Sequence, residues 1–169
     1  KYIDSIVEVM GSDGTKFEPV AGHRAVIKLG TGSSFTTGSD PDVFYDGKQF
    51  VMYVSHGPSI SVWTGASLDA NFVYFGVLSD KTGGIPAGHF DHGAKQYWTF
   101  AHITQNGRAV IRRATHANFD KLSESNWATV LRGSDMGLGN ASNVESPGFA
   151  LNIEGPVSDK RIYLPVAIG

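Results

Sequence analysis

The sequence has no cysteine, which excludes disulfides, thiolate nucleophiles and Cys-ligated zinc and leaves the compartment open. It also lacks long apolar runs, and no stretch approaches the roughly 20 residues needed to cross a bilayer, so no membrane partner is expected. Charge of one sign is scarce too. Lys and Arg total 14 against 16 Asp and Glu, the net charge is −2, and cations are scattered apart from pairs such as Arg112-Arg113. That distribution offers no basic stripe to phosphate, so nucleic acid is not an expected partner. Helical periodicity is the fourth absence. Apolar spacing at 3.6 rarely persists for more than about 10 positions, and the segment Asn118 to Trp127 has room for a turn or two at most. The chain opens at Lys1 without a charged and then apolar leader, which reads as either a signal removed or, the preferred reading, a segment excised from a longer protein.

What is abundant is glycine (21 residues), with 10 Phe, 6 Tyr and 3 Trp, arranged as short β-branched and aromatic runs between Gly, Asp, Asn, Ser and Pro. That is the composition of strands and turns. A length of 169 residues with 41% hydrophobic content predicts one all-β domain, 1–169, with a core of its own.

The chain repeats itself. Asp40 to Tyr45, an Asp46-Gly47 turn and Lys48 to Val54 read as a hairpin, and Ile85 to Phe100 reads as a second copy with a turn two residues longer. Lys48-Gln49-Phe50 matches Lys95-Gln96-Tyr97 at an offset of 47, and the same offset relates Ala70-Asn71-Phe72 to Ala117-Asn118-Phe119. Third strands at Ile60–Trp63 and Ala109–Arg112 and fourth strands at Val73–Leu78 and Trp127–Leu131 complete a four-stranded antiparallel meander in each copy. A third copy runs from Glu145 to Leu151 and, after an Asn152 to Lys160 loop, from Arg161 to Ala167. Arg24 to Leu29 reads as an outer strand of a preceding unit. Units at 39–80, 84–131 and 144–169 predict β-propeller blades in an incomplete ring of about three. A partial ring exposes sheet edges and apolar faces, so a homo-oligomer is expected.

Asp40-Pro41-Asp42, Ile85-Pro86-Ala87 and Glu145-Ser146-Pro147 open the three copies, followed by hairpins of the type "FYDGKQFVMYVS" and by "SISVWTGASLDANF". Over residues 39 to 167 this pattern resembles the five-bladed propeller glycosidases of glycoside hydrolase family forty-three (arabinanases, β-xylosidases and arabinofuranosidases) and their levansucrase and invertase relatives. The resemblance implies an Asp base before a Pro, an Asp modulator after Ala-Pro and a Glu acid ahead of Gly-Pro, in that order. Asp40 matches the base and Glu145 the acid, whereas Ala87 stands at the modulator position and Ser146 replaces the Gly. The family fold has five blades in about twice this length, so the whole cleft would need assembly or a longer parent. A glycosidase-like role implies an oligo- or polysaccharide partner and a secreted or periplasmic site. The same resemblance implies a channel histidine near a central calcium or chloride ion, for which His102 is the candidate.

Two carboxyl groups facing each other across a glycosidic bond are the chemistry that Asp40 and Glu145 would supply. Asp42 shares a strand face with Asp40 but lies deeper, and His56 and His102 end the second strands of their copies one residue apart in register. With Trp63, whose ring could stack on a sugar, these are the candidate substrate-binding residues; most other aromatics are assigned to packing. A non-catalytic sugar-binding module, favoured by Ala87, and a self-associating structural protein are the competing readings. The six histidines, His23, His56, His89, His92, His102 and His116, have no metal-binding spacing on a helix. No cofactor is expected either, because Gly30-Thr31-Gly32-Ser33-Ser34 lacks the Gly-Lys-Ser/Thr ending of a phosphate loop.

Overall fold

The computed structural model describes residues 5–7, 9–10, 15–16, 18–19, 25–30, 32–139, 142–151 and 162–169. Its strands begin with β1 (Ser5–Val7), β2 (Val9–Met10), β3 (Glu18–Pro19) and β4 (Ala25–Lys28). A first long meander follows as β5 (Ser39–Tyr45), β6 (Phe50–His56), β7 (Ser59–Gly65) and β8 (Val73–Ser79). The second is β9 (Gly84–Asp91), β10 (Gln96–Gln105), β11 (Arg108–His116) and β12 (Trp127–Leu131). The chain then runs through β13 (Val144–Glu145), β14 (Ala150–Leu151), β15 (Ile162–Tyr163) and β16 (Ala167–Ile168). Helix among the described residues is limited to 3-10 turns at Glu124–Asn126, inside the segment read as able to hold one, and at Gly133–Met136.

Both whole copies are four-stranded antiparallel sheets in which every strand pairs with its sequence neighbours. The hairpin turns explain the registers. Asp46 Oδ1 accepts the Lys48 and Gln49 N–H groups at 2.8 and 2.9 Å, and Gly47 takes φ +94°. Asp91 Oδ1 does the same for Gly93 and Ala94 at 2.9 and 3.0 Å. An Asp side chain that mimics the backbone turn therefore starts the second strand in each sheet. The third copy is an interrupted hairpin, with β13 on β16, β14 on β15, and Gly148 N–H donating to the Pro165 carbonyl at 2.8 Å between them. The Asn152 to Lys160 loop, Arg161, Arg24 and His23 lie outside the described residues. None of the sheets closes on itself.

The layers stack in chain order because the middle strands are apolar on both faces. In β6, Val51 and Tyr53 pack toward the second sheet with Ala101, Ala114, Phe119 and Trp127, while Met52 and Val54 pack toward β4 with Val26, Ile27 and Leu29. Alternation in β10 and β11 repeats this, with Phe100 and Ile111 turned to the third hairpin, against Val144, Phe149 and Leu164. Each such side chain removed from water contributes about 1.5–3 kcal/mol.

Glycine permits the closest contact in the first seam. A Cβ on Gly88 would stand 2.2 Å from Phe44 Cε1 and 2.8 Å from Tyr53 Cε2, and one on Gly84 would stand 2.0 Å from the Gly57 carbonyl oxygen. Strand β9 thus lies with bare backbone against the first sheet. Gly88→Ala is expected to destabilise the fold by about 2–3 kcal/mol through overpacking, measured as a lower urea midpoint. A midpoint equal to that of the parent chain would refute the close approach.

Candidate functional site

Each inner strand carries the same irregularity just ahead of its proline. Asp40, Ile85 and Ser146 have φ of +48°, +47° and +49°, and each directly precedes a Pro. The ladder shifts register between Ser39 and Asp42 and, in the second sheet, between His102 and Phe100, opposite Gly84 and Ala87. In the third copy the pairing breaks between Glu145 and Ala150. Left-handed backbone is uncommon for any non-glycine residue and an outlier for a β-branched one such as Ile85. The residue before Pro is confined to extended conformations as well. Three copies of one strained bulge therefore sit at corresponding points of three consecutive units. By this alignment Asp40 corresponds to Ser146, and Glu145 to Ser39 and Gly84.

Of the two candidate catalytic carboxylates, Asp40 is exposed and its Oδ2 accepts the Ser39 hydroxyl at 2.6 Å. Glu145 is half-buried, paired in the ladder with Ala167. Its neighbour Ser146 donates its N–H to His102 Nδ1 at 3.3 Å. An imidazole that accepts at Nδ1 is neutral and carries its hydrogen on Nε2. In that tautomer His102 offers a donor to a ligand oxygen and has no lone pair for a cation. Among the described residues no group of three or more His, Asp or Glu side chains could hold a metal ion.

The remaining candidates are committed elsewhere. Asp42 spans the seam, with Oδ2 accepting the Gly88 N–H at 2.6 Å. Burial pushes its carboxyl above the usual range, against the smaller opposing pull of that Gly88 bond. His56 stacks on Phe35 with ring centroids 3.8 Å apart and uses both nitrogens. Nδ1–H donates to the Thr37 carbonyl and Nε2 accepts the Ser61 hydroxyl, both at 2.7 Å. Trp63 donates to the same Ser61 oxygen at 2.8 Å and is 2% exposed, so its ring packs in the core. His56 and His102 point to opposite faces of their sheets, since His102 corresponds to Ser55 at the offset of 47.

Sequence reasoning missed a second histidine of the same design. His116 Nδ1–H donates to the Asn118 carbonyl at 2.6 Å, and Nε2 accepts the Thr99 hydroxyl at 2.8 Å, with the Tyr53 phenol oxygen 3.2 Å from Thr99 Oγ1. Burial holds both His56 and His116 below the ordinary imidazole range, partly offset by their carbonyl partners. It also missed Arg112, buried beneath Glu124 in a bidentate pair at 2.6 and 3.0 Å. An Arg with an acid 12 residues later, beside a short turn, was the available signal. Two clefts of about 400 and 410 Å³ are lined by Lys28, Trp63 and Tyr74 and by Lys48, His92 and Tyr97, and neither includes Asp40 or Glu145.

No family model, curated protein or solved structure matches this chain.

Two outcomes follow from these groups. Asp42→Asn keeps an acceptor for Gly88 and removes a charge that burial opposes, so its unfolding free energy should equal or exceed the parent's at neutral pH. Asp42→Ala orphans that N–H and should cost about 1–3 kcal/mol; equal losses in both variants would refute the seam role. His56 and His116 are neutral when folded and take up protons more readily when unfolded. Their contribution is whole above about pH 6.5 and is lost as pH falls from there through their folded values, at up to about 1.4 kcal/mol per pH unit for each. Urea titrations between pH 7.5 and 5 should show this slope, and His116→Gln should flatten it; a slope unchanged in the variant would remove His116 as its source.

Proposed function

We propose that the chain is a segment of a β-propeller that acts on carbohydrate, with its three described units as consecutive blades and Asp40 and Glu145 flanking a shared sugar site. The observation that carries this reading is the strained pre-proline bulge repeated at Asp40, Ile85 and Ser146. Strain of this kind costs of order 1–3 kcal/mol per residue and concentrates where function demands it. Two four-stranded meanders stacked in chain order, followed by an interrupted hairpin, support the blade assignment.

In this reading Asp40, which is exposed, is the base that takes a proton from water. Glu145, half-buried, is the acid that protonates the departing glycosidic oxygen. The water attacks the anomeric carbon as the C–O bond breaks, which requires the carboxyls to stand about 6.5–9.5 Å apart and inverts the configuration. His102 would donate Nε2–H to a sugar hydroxyl in the same reading.

Ala87 supports a second reading. It is 1% exposed and packs with Phe100, Ile111 and Val144, so no carboxylate occupies the position that would tune the acid. A module that binds sugar without turning it over needs none. The open apolar side chains Val73 (67% exposed) and Phe75 (58%) on edge strand β8 support self-association as the way such a ring is completed.

Assaying aryl glycosides and furanoside and pyranoside oligosaccharides with the parent chain, Asp40→Asn and Glu145→Gln separates these readings. Turnover should fall by about 10²–10⁴ in either variant, and Glu145→Gln should retain most activity on substrates whose leaving group needs no proton. Binding without turnover in the parent chain selects the second reading, and neither binding nor turnover removes both.

A further inference from the structure

Two of the three strained positions, Ile85 and Ser146, are held by a side chain of the preceding unit. Ser55 pairs in its ladder with Ser39, and His102 pairs with Gly84, so the two occupy the same place at the end of the second strand. Neither side chain serves the bulge of its own sheet. Ser55 Oγ accepts the N–H of Ile85 at 3.2 Å, and His102 Nδ1 accepts the N–H of Ser146 at 3.3 Å. A bulge leaves an N–H without a ladder partner, which at half-buried Ile85 requires an acceptor and at exposed Ser146 leaves a donor free for His102 to take. The same clip, one unit forward, is thus built twice.

The clips differ in reach. A serine hydroxyl is one bond from Cβ, whereas imidazole Nδ1 is two bonds away, so at hydrogen-bond lengths of 3.2 and 3.3 Å His102 has the longer reach from its own strand. The residues ahead of the clipped positions follow this difference. Gly84, beside the serine clip, has no space for a side chain, since a Cβ would stand 2.0 Å from the Gly57 carbonyl oxygen. Glu145, in the corresponding place beside the histidine clip, carries a full carboxylate side chain.

We propose that His102 is a positioning residue for Glu145: its imidazole clips the Ser146 N–H at a distance that opens the second seam and makes room there for the Glu145 side chain. The catalytic meaning of Glu145 rests on the carbohydrate reading; the clip does not. The ring therefore does two things in one tautomer, accepting from the backbone with Nδ1 and leaving Nε2–H for a ligand.

The test is amide hydrogen exchange followed by NMR on the full chain. Asn places its oxygen where Nδ1 sits, and Gln places its polar atoms where Nε2 sits. His102→Asn should keep Ser146 protected, whereas His102→Gln and His102→Ala should speed its exchange about five-fold or more, the loss of one hydrogen bond, with Ile85 unchanged in all three. Ser55→Ala should do the reverse, exposing Ile85 and sparing Ser146. The reach argument has its own readout. His102→Ser should lower the folding constant about tenfold in the parent chain and much less in a Glu145→Gly background, the coupling expected of residues sharing one space. Equal exchange at Ser146 in the Asn and Gln variants, exchange at Ile85 rising together with Ser146, or absence of coupling would each overturn the proposal. A protected Ser146 in a chain that neither binds nor cleaves sugar leaves the clip standing and removes the carbohydrate reading; turnover with an unprotected Ser146 does the opposite.

Discussion

A strand whose two faces are both apolar must be covered twice, and β6 is such a strand. Val51, Met52, Tyr53 and Val54 are each at most 3% exposed, and their alternate side chains enter different clusters. No single sheet packed on one layer satisfies this, so the first sheet is held between β4 and the second sheet. The second is held in turn between the first and the terminal hairpin. Close packing at these seams fixes how near the backbones come, which is why Gly84 and Gly88 stand where β9 meets the first sheet.

Covering both faces also buries polar groups that the backbone and turns require, and the chain satisfies them with small chains of hydrogen bonds. His56 and His116 are the same device in successive seams: a carbonyl receives Nδ1–H, and a hydroxyl from a neighbouring position on the sheet donates to Nε2. An unpaired imidazole in either place would cost more than the pair contributes. Arg112 follows a related logic at the outer strands, where its guanidinium meets both oxygens of Glu124 and lies 5.9 Å from the Trp127 ring centroid. These groups explain why several residues with chemical potential are unavailable for chemistry. The ring nitrogens of both histidines and the two terminal nitrogens of Arg112 are already matched, while Arg112 Nε is buried without a partner.

The strands, their order and the pairing within each copy were legible because alternation has a period of two and Asp-Gly turns announce themselves, while the offset of 47 tied separate landmarks together. Which face a residue would lie on was less legible. Alternation tells which side chains share a face and is silent on what covers it, so Trp63 reads equally well as a ring for stacking sugar and as core. Neighbouring positions of a strand face opposite ways, and at the constant offset of 47 His102 matches Ser55 and not His56, so the two histidines look matched by proximity yet lie on different faces. Proline marked the three inner strands, but the positive φ of the residue before it arises from the tertiary setting. Nothing in the dipeptide Ile85-Pro86 requests it.

That strained residue is the strongest reason to look for function at this end of the strands. Glycine adopts φ near +50° without penalty, and the chain uses glycine at many such places, among them Gly30, Gly47 and Gly57. At Asp40, Ile85 and Ser146 it does not. Two of the three strained residues are fixed by an acceptor contributed by the previous sheet, so the conformation is imposed by neighbours and not merely tolerated. A backbone held in that manner aims the adjacent side chains along fixed directions with little freedom to relax. At Ile85 the neighbours are Gly84 and Pro86, and no polar side chain is aimed anywhere. In the first copy the strained residue is itself a carboxylate, Asp40, and in the third it directly follows one, Glu145. The middle unit thus serves as the internal control, because there the same strain stands with no carboxylate beside it.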